Sequence, residues 1–275
     1  MAAQPDSGRL TVLAGRLRPA ARVAASAVGR ALRSLVAYLG EFFLLGQAIV
    51  MHVLRGEVTR RELFEQMWRC GVAGLPLVAV TVGFSGLVFG VYTVAQFKQF
   101  GATEFIGGVV GISMAREVAP VLTATVMAAR TGSSIAAEVS TMKITEQIDA
   151  LRALATDPIE YLAVPRYVAL VLTLPLLALV GMATGTLGAA SLATLQGVPL
   201  RQFFDSLQQM LPMDYVVTGC TKAMVFGALM AIASLRQGLR CGHGSAAVGQ
   251  ATTQAVVLCV LWIHLANLLL AIAAS

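Results

Sequence analysis

Charged residues are what this sequence most lacks. Only 12% of its 275 residues are Asp, Glu, Lys or Arg, whereas 57% are hydrophobic, and the mean hydropathy is +0.77. A soluble domain usually carries about 25% charged residues. A soluble core of this length cannot bury so much apolar surface, so the composition predicts an integral membrane protein.

Several kinds of site are also missing. The sequence has no G-x-x-x-x-G-K-[ST] phosphate loop, so any ATP has to be used by another subunit. The four cysteines form no C-x-x-C motif and show no metal-ligand spacing with the three histidines, so we expect no bound metal or other cofactor. The basic residues form no stripe with aromatic residues between them, which argues against nucleic-acid binding. No catalytic nucleophile and base stand out, and we do not expect an enzyme.

Long runs without charge indicate transmembrane helices, each of which needs about 20 apolar residues. Cys70 to Phe97 contains no charged side chain, and neither does Tyr167 to Leu200. We predict an all-α protein with five spans, at about 71–95, 105–130, 167–193, 215–235 and 248–272. Between the third and fourth spans, "GVPLRQFFDSLQQMLP" predicts a short amphipathic helix.

Residues 35–56 are harder to place, because they are long enough to span a membrane but contain Glu41. We predict an interfacial helix on the cytoplasmic surface, since Tyr38, Glu41, His52 and Arg55 lie near one helical face. The alternative is a sixth span. That span would place the four arginines between 55 and 69 on the outer side, against the positive-inside rule.

Basic residues also set the orientation. Residues 1–34 contain six Arg and one Asp without a signal-peptide pattern, so we predict a basic cytoplasmic arm. With five spans, the loops richest in Arg and Lys, at 130–166 and 236–240, lie on the side of this arm. The N-terminus is then cytoplasmic and the C-terminus lies on the opposite side.

The loop between spans two and three has an amphipathic pattern. After Met142, the apolar residues Ile144, Ile148, Leu151 and Ala155 (or Leu154) recur at a spacing of three to four residues, with charged and amide side chains on the other faces. This pattern predicts one helix at about 141–156, ended by Pro158. Such a helix is suited to docking against a soluble partner, although an ordinary solvated loop helix would show the same spacing.

The residue order in this region resembles the MlaE family, the permease subunits of lipid-transporting ABC systems. The resemblance is densest in "REVAPVLTATVMAARTGSSIAAEVSTMKITEQIDALRALATDPIEYLAVPR", at 116–166, where five family motifs follow one another in order. A second family signature resembles "GSAAVGQATTQAVV" at 244–257, with departures at Ser245 and Ala247. The resemblance extends from the interfacial helix to the C-terminus.

The resemblance implies how the protein would assemble. It identifies the loop helix as a coupling helix that rests on a cytoplasmic ABC ATPase, which would use the ATP. It also implies a homodimer of permeases in the bacterial inner membrane and a periplasmic MCE-domain lipid-binding protein. The implied coupling residues are Glu146, Gln147, Ile148, Asp149 and Leu151.

Three ionisable residues lie within the predicted spans, where charge is costly and functional by default. Arg116 and Glu117 are near the middle of span two, and Lys222 is in span four. Adjacent helical positions point about 100° apart, so Arg116 and Glu117 cannot pair well with each other along the helix, and at least one must face another helix, the dimer seam or a water-filled cavity. They form either a structural inter-helix ion pair or part of a lipid cavity. Lys222 either meets Glu117 or contacts a lipid headgroup.

The function that fits best is the membrane subunit of an ATP-driven lipid transporter. It would move phospholipid or a related lipid between the inner membrane and the periplasmic partner, through a cavity lined by spans one, three and five, and so support outer-membrane lipid asymmetry. One alternative is an ion-coupled secondary transporter that uses Glu117 and Lys222, although no internal repeat is evident. Another is a membrane scaffold whose loop helix only recruits a partner.

Overall fold

The computed structural model describes the backbone of residues 7–56 and 60–273 and, within these ranges, the side chains from residue 29 onward apart from that of Ala31. All regular structure in these ranges is helical, which confirms the predicted all-α class. The α-helices are α1 Ser7–Leu54, α2 Arg60–Cys70, α3 Leu75–Gln99, α4 Ile106–Ser113, α5 Ala119–Met127, α6 Ser133–Ile144, α7 Gln147–Ala153, α8 Val164–Leu195, α9 Leu200–Met210, α10 Met213–Leu239 and α11 Ser245–Ala273.

The chain divides into two compact units, Met1–Leu45 and Gly46–Ser275. The first unit consists of the N-terminal part of α1 in its described residues. There the helix continues through residues 7–34, so the boundary that we predicted between the basic arm and a helix at 35 is not a break in the backbone. Residues 1–6 of the arm lie outside the described residues.

Six helical segments in the described ranges are long and apolar enough to cross a membrane. Five of them contain the five predicted spans, and together they make this a multi-pass integral membrane protein. The sixth is Leu32–Leu54, which, like the other five, qualifies by its length and composition. That residues 35–56 lie along the membrane surface therefore stays a prediction.

The second predicted span is longer than expected. Helical structure runs from Thr103 to Ile144, whereas the sequence suggested an end near 130. Glu138 lies in this extension and forms an ion pair with the buried Arg166, with 3.0 Å between Oε2 and the guanidinium nitrogen. Because this ion pair neutralises Glu138, the helix continues through charged positions that we assigned to a loop from the sequence.

Small residues bring the helices of the second unit close together. A Cβ atom placed on Gly86 of α3 would lie only 2.0 Å from the carbonyl oxygen of Gly185 on α8. One placed on Gly188 would lie 2.5 Å from the carbonyl oxygen of Gly83. The glycine motifs of spans one and three therefore meet backbone to backbone, as such motifs do in membranes.

Helix α10 lies at the centre of this unit and packs against α5, α6, α8 and α11. Its buried face contains small residues and a few large ones, such as Phe226 and Met230, both 0% exposed. Helix α9, between Pro199 and Pro212, packs on α4, which confirms the predicted short helix between spans three and four. Gly107 of α4 makes this contact close, since a Cβ there would lie 1.9 Å from the Phe203 carbonyl oxygen.

Within the described residues, three wide π-helical turns interrupt the helical segments, at Met114–Val118, Ala128–Gly132 and Ile159–Ala163. Two of them precede a proline. The amide of Ala119 donates to the carbonyl of Met114, and the next residue is Pro120. The amide of Val164 donates to the carbonyl of Ile159, and the next residue is Pro165. Because proline has no N–H to donate, a wide turn just before it accommodates the missing hydrogen bond.

Candidate functional site

The first π turn positions the two charged residues predicted in span two. Arg116 and Glu117 both lie within Met114–Val118. This turn faces α10, where a Cβ atom added to Gly219 would lie 2.1 Å from the carbonyl oxygen of Ala115. The glycine thus provides the space in which the irregular turn packs against its neighbour. Wide turns of this kind are frequent at functional sites.

Glu117 is the centre of a polar cluster that joins three helical segments. Its Oε1 lies 2.5 Å from the Nζ of Lys222 on α10. Its Oε2 accepts a hydrogen bond of 3.1 Å from the amide of Asn267 on α11. The structure pairs Lys222 with Glu117, and a contact between Lys222 and a lipid headgroup stays a prediction.

The two side chains of the ion pair differ strongly in their burial. The side chain of Lys222 is 2% exposed, whereas that of Glu117 is 40% exposed. An ammonium group away from water is stable only with a counter-charge, so Lys222 depends on Glu117. The side chain of Glu117 contacts the buried ammonium group of Lys222 and is also partly exposed on the surface of the single chain.

Arg116 points elsewhere, as the 100° offset between neighbours predicts. Its guanidinium carbon lies 5.4 Å from the centroid of the Tyr215 ring, a cation–π distance. Tyr215 is in the first turn of α10, two turns before Lys222. The cluster is therefore formed by one π turn, α10 and α11. Arg116 contacts Tyr215, whereas Glu117 contacts Lys222 and Asn267.

Sequence reasoning missed Asn267 and Tyr215. Asn267 was detectable, because an amide within "LWIHLANLLLAIA" is unusual in an otherwise apolar span and such amides hydrogen-bond between helices. Tyr215 gave no such signal, since aromatic residues are common at the ends of spans.

An open apolar groove adjoins the cluster. Its volume is about 400 Å³, and it lies between the second-span segment, α8, α9 and α10. Ala115 and Val216 line it and are the chain neighbours of Arg116 and Tyr215. The other lining residues are almost all apolar, among them Leu179, Met182, Leu187 and Leu207. We expected a cavity among spans one, three and five, whereas this groove is formed by spans two, three and four with α9.

A smaller space of about 240 Å³ reaches the cluster from α10 and α11. Lys222 lines it together with Thr218, Thr221 and Leu270. Both hydroxyls already donate to backbone carbonyls one turn earlier in α10. The polar cluster thus borders two cavities, one apolar and one with a cation in its wall.

The predicted coupling helix is shorter than we expected. The single helix at about 141–156 is wrong, since Met142 and Ile144 belong to α6 and a new helix, α7, begins at Gln147. Glu146 separates the two with φ of 59°. Helix α7 ends at Ala153, before a second positive φ of 56° at Ala155, so Pro158 is not its stop.

The break changes which coupling residues are available. Glu146, Gln147 and Asp149 are exposed. Leu151 is half-buried, whereas Ile148 is 4% exposed and anchors the helix to its own chain. Nearby, Lys143 donates to the carbonyl of Leu239 over 2.7 Å, which ties the end of α6 to the end of α10. An exposed acidic and amide face on a fixed helix is a surface suited to a partner.

Comparison with known proteins matches this architecture to a family. The family model described as "Permease MlaE" matches residues 63–273. A probable ABC transporter permease protein of Synechocystis is 42% identical over 233 residues, which cover 83% of this chain and 87% of the relative. One of Rickettsia conorii is 37% identical over 248 residues, 90% and 95% of the two chains. Protein TRIGALACTOSYLDIACYLGLYCEROL 1, chloroplastic, of Arabidopsis thaliana is 35% identical over 228 residues, 82% of this chain and 65% of the relative. The chain therefore belongs to the MlaE family of ABC transporter permeases.

Proposed function

We propose that this protein is the membrane subunit of an ATP-driven transporter that moves phospholipid or a related lipid. The observation that carries the proposal is the Glu117–Lys222–Asn267 cluster within the spans, next to an open apolar groove. Charge at this depth costs about 2.5–3.5 kcal/mol on insertion scales. A lipid has apolar acyl chains and a polar headgroup. The groove suits the acyl chains, and the charged cluster suits the headgroup.

The groove supports the acyl-chain half of this proposal. Lipid chains need an apolar lining without unsatisfied polar atoms, and Leu, Met, Ala and Phe side chains provide most of it here. The cluster supports the headgroup half. Arg116 holds a positive charge over Tyr215, and the chain neighbours of these two residues, Ala115 and Val216, line the groove. Charged nitrogen donors bind phosphate oxygens strongly.

The relatives support the same class of substrate. Two of them are named as ABC transporter permeases, and the Arabidopsis relative is named after a galactosylated glycerolipid. We transfer the substrate class that this name indicates to the present chain as part of the proposal. It agrees with a cavity that combines an apolar groove with buried charge.

The remaining subunits belong to the proposal as well. An ABC permease works with an ATPase, and the exposed face of α7, with Glu146, Gln147 and Asp149, is where we propose that it docks. We further propose a second copy of this chain and a periplasmic MCE-domain protein that exchanges lipid with the inner membrane. In that setting the transporter would support outer-membrane lipid asymmetry, with the N-terminus cytoplasmic and the C-terminus periplasmic.

The two alternatives receive less support. An ion-coupled carrier could use the Glu117–Lys222 pair, but the relatives are named as ABC permeases rather than as ion-coupled carriers. A scaffold would need only α7. It would have no use for a carboxylate, an amide and an ammonium brought together from three helical segments.

The test is ATP-dependent lipid transfer by the complex reconstituted in liposomes. Arg116→Leu and Glu117→Leu should both assemble and hydrolyse ATP but transfer less lipid, and the effect should be clearest for Glu117→Leu. Glu117→Leu should also lower the stability of the protein, because Lys222 loses its counter-charge. Arg201→Gln is a matched control, because Arg201 is 93% exposed and pairs with Asp205 one turn away. Normal transfer by the double variant Arg116→Leu/Glu117→Leu would remove both residues from the mechanism. Loss of assembly would show that the cluster is structural.

A further inference from the structure

A second polar pocket lies away from the Glu117 cluster. Its volume is about 390 Å³, and it lies between the end of α2, the turn after it and the segment from Arg130 to Glu138. Arg130 comes 13 residues after Glu117, which is about 20 Å along a helix at 1.5 Å per residue. The two sites are therefore too far apart for one headgroup to occupy both.

The charges around this pocket leave one cation without a counter-charge. Glu138 is paired with Arg166 at 3.0 Å, and Arg69 is paired with Glu65 at 3.2 Å. The guanidinium of Arg130 lines the pocket half-buried and has neither an ion pair nor a hydrogen bond within the described part of the chain. The pocket consequently carries a net positive charge at Arg130.

Hydrogen-bond donors exceed acceptors in the same space. The indole N–H of Trp68 and the hydroxyl of Ser134 both line the pocket, and neither has a partner among the residues that the structure covers. The amide oxygen of Gln66 already accepts from the thiol of Cys70 at 3.6 Å, which leaves its NH₂ group to donate. Three donor groups beside an unpaired guanidinium favour an anion with several acceptor oxygens.

The walls of the pocket are held in place by the backbone. Thr131 donates to the carbonyl of Cys70 over 3.1 Å, which joins the π turn Ala128–Gly132 to the end of α2. Trp68 is 65% exposed at the end of an apolar span, the position that aromatic residues favour at a membrane boundary. The pocket thus lies at the predicted cytoplasmic ends of spans one and two.

We propose that this pocket binds the phosphate-bearing headgroup of a phospholipid in the cytoplasmic leaflet, with Arg130 as its anchor. Ile135 and Ala73 provide apolar wall beside the donors. The headgroup phosphate would accept from the guanidinium, and its ester oxygens from Trp68, Ser134 and Gln66. This site is separate from the transport cluster, and its occupancy does not depend on the proposed function.

The probe is phosphatidylglycerol, titrated into the detergent-purified full chain and counted by native mass spectrometry. Diacylglycerol with the same acyl chains is the phosphate-free comparison. We expect Arg130→Gln to weaken phosphatidylglycerol binding about tenfold, which corresponds to one charge-assisted hydrogen bond. Arg130→Lys should recover part of that loss, and Arg201→Gln, which changes an exposed cation elsewhere, should bind as the native chain does.

Ser134→Ala and Trp68→Leu change exposed side chains and keep the proposal testable if Arg130→Gln does not fold. Each should reduce phosphatidylglycerol binding several-fold and leave diacylglycerol binding unchanged. Equal binding of the two lipids, or phosphatidylglycerol binding that is unaffected by these variants, would overturn the proposal. Inorganic phosphate that binds at millimolar concentration with the same dependence on Arg130 would assign the pocket to a free ion and overturn the lipid assignment.

Discussion

The unequal burial of the Glu117–Lys222 pair predicts an unequal response to mutation. Glu117→Gln keeps the side-chain volume but leaves the ammonium of Lys222, 2% exposed, without a counter-charge. Breaking a buried ion pair in this way costs about 3–5 kcal/mol. Lys222→Met leaves a carboxylate that is 40% exposed and still accepts from Asn267. This carboxylate is less buried in the single chain than Lys222 and keeps one hydrogen-bond donor, so losing Lys222 should cost it only about 1–2 kcal/mol.

The expected difference is about 2 kcal/mol, or about 4–8 °C in Tm for a chain of this size. The measurement is thermal unfolding of purified, monodisperse protein in one detergent, followed by intrinsic fluorescence. The double variant Glu117→Gln/Lys222→Met should recover most of the loss, because both charges are then gone and the cost of the double change is smaller than the sum of the single costs. Arg201→Gln, an exposed and locally paired cation, should shift the free energy of unfolding by less than about 0.5 kcal/mol.

The reasoning is refuted if Lys222→Met destabilises as much as Glu117→Gln. It also fails if the two changes are additive in the double variant, since additivity would mean that the groups do not interact. Either result would show that the pair in the single chain is not the arrangement that stabilises the protein in a bilayer or detergent.

Three further predictions concern docking, packing and topology. The double charge reversal of Glu146 and Asp149 to Lys should release the ATPase in a pull-down while the permease still inserts and dimerises; unchanged capture would contradict docking at α7. Gly86→Ala should cost about 1–3 kcal/mol in thermal unfolding by overpacking against α8, whereas Gly83→Ala, with 3.7 Å to its nearest neighbour, should be neutral; equal effects would contradict the close contact. If residues 35–54 lie along the membrane, cysteines at positions 3 and 59 should both be shielded from impermeant reagents in intact cells, and labelling of only one would indicate a span.

The positions of the spans could be predicted, because they depend on composition. Uncharged runs identified α3, α8 and α11 within a few residues of their observed bounds. The second span was placed too short, since its continuation contains Arg130 and Glu138. Glu138 pairs with Arg166, and a pair between residues 28 positions apart is invisible to a count of charges along the chain.

Breaks within helices and contacts between residues far apart in the sequence were harder to predict than the spans. The helix after span two divides at Glu146, whose φ of 59° is unusual for a residue other than glycine, so no turn signal marked it. Arg116, Glu117 and Lys222 were identified individually from the cost of charge in a membrane. Their arrangement depends on which helices are neighbours, and contacts such as the close packing at Gly219 and the hydrogen bond from Asn267 are between residues far apart in the sequence.

The prolines that follow two of the π turns affect the direction in which side chains on either side of the turn point. A π turn accommodates about one extra residue, and each residue adds about 100° of rotation, so the helix on one side is turned relative to the other. Replacing Pro120 by a residue with an N–H would allow the turn to return to regular α-helical bonding and would remove that offset. The direction in which Glu117 faces α10 and α11 therefore depends on a side chain three residues further along that has no polar group of its own.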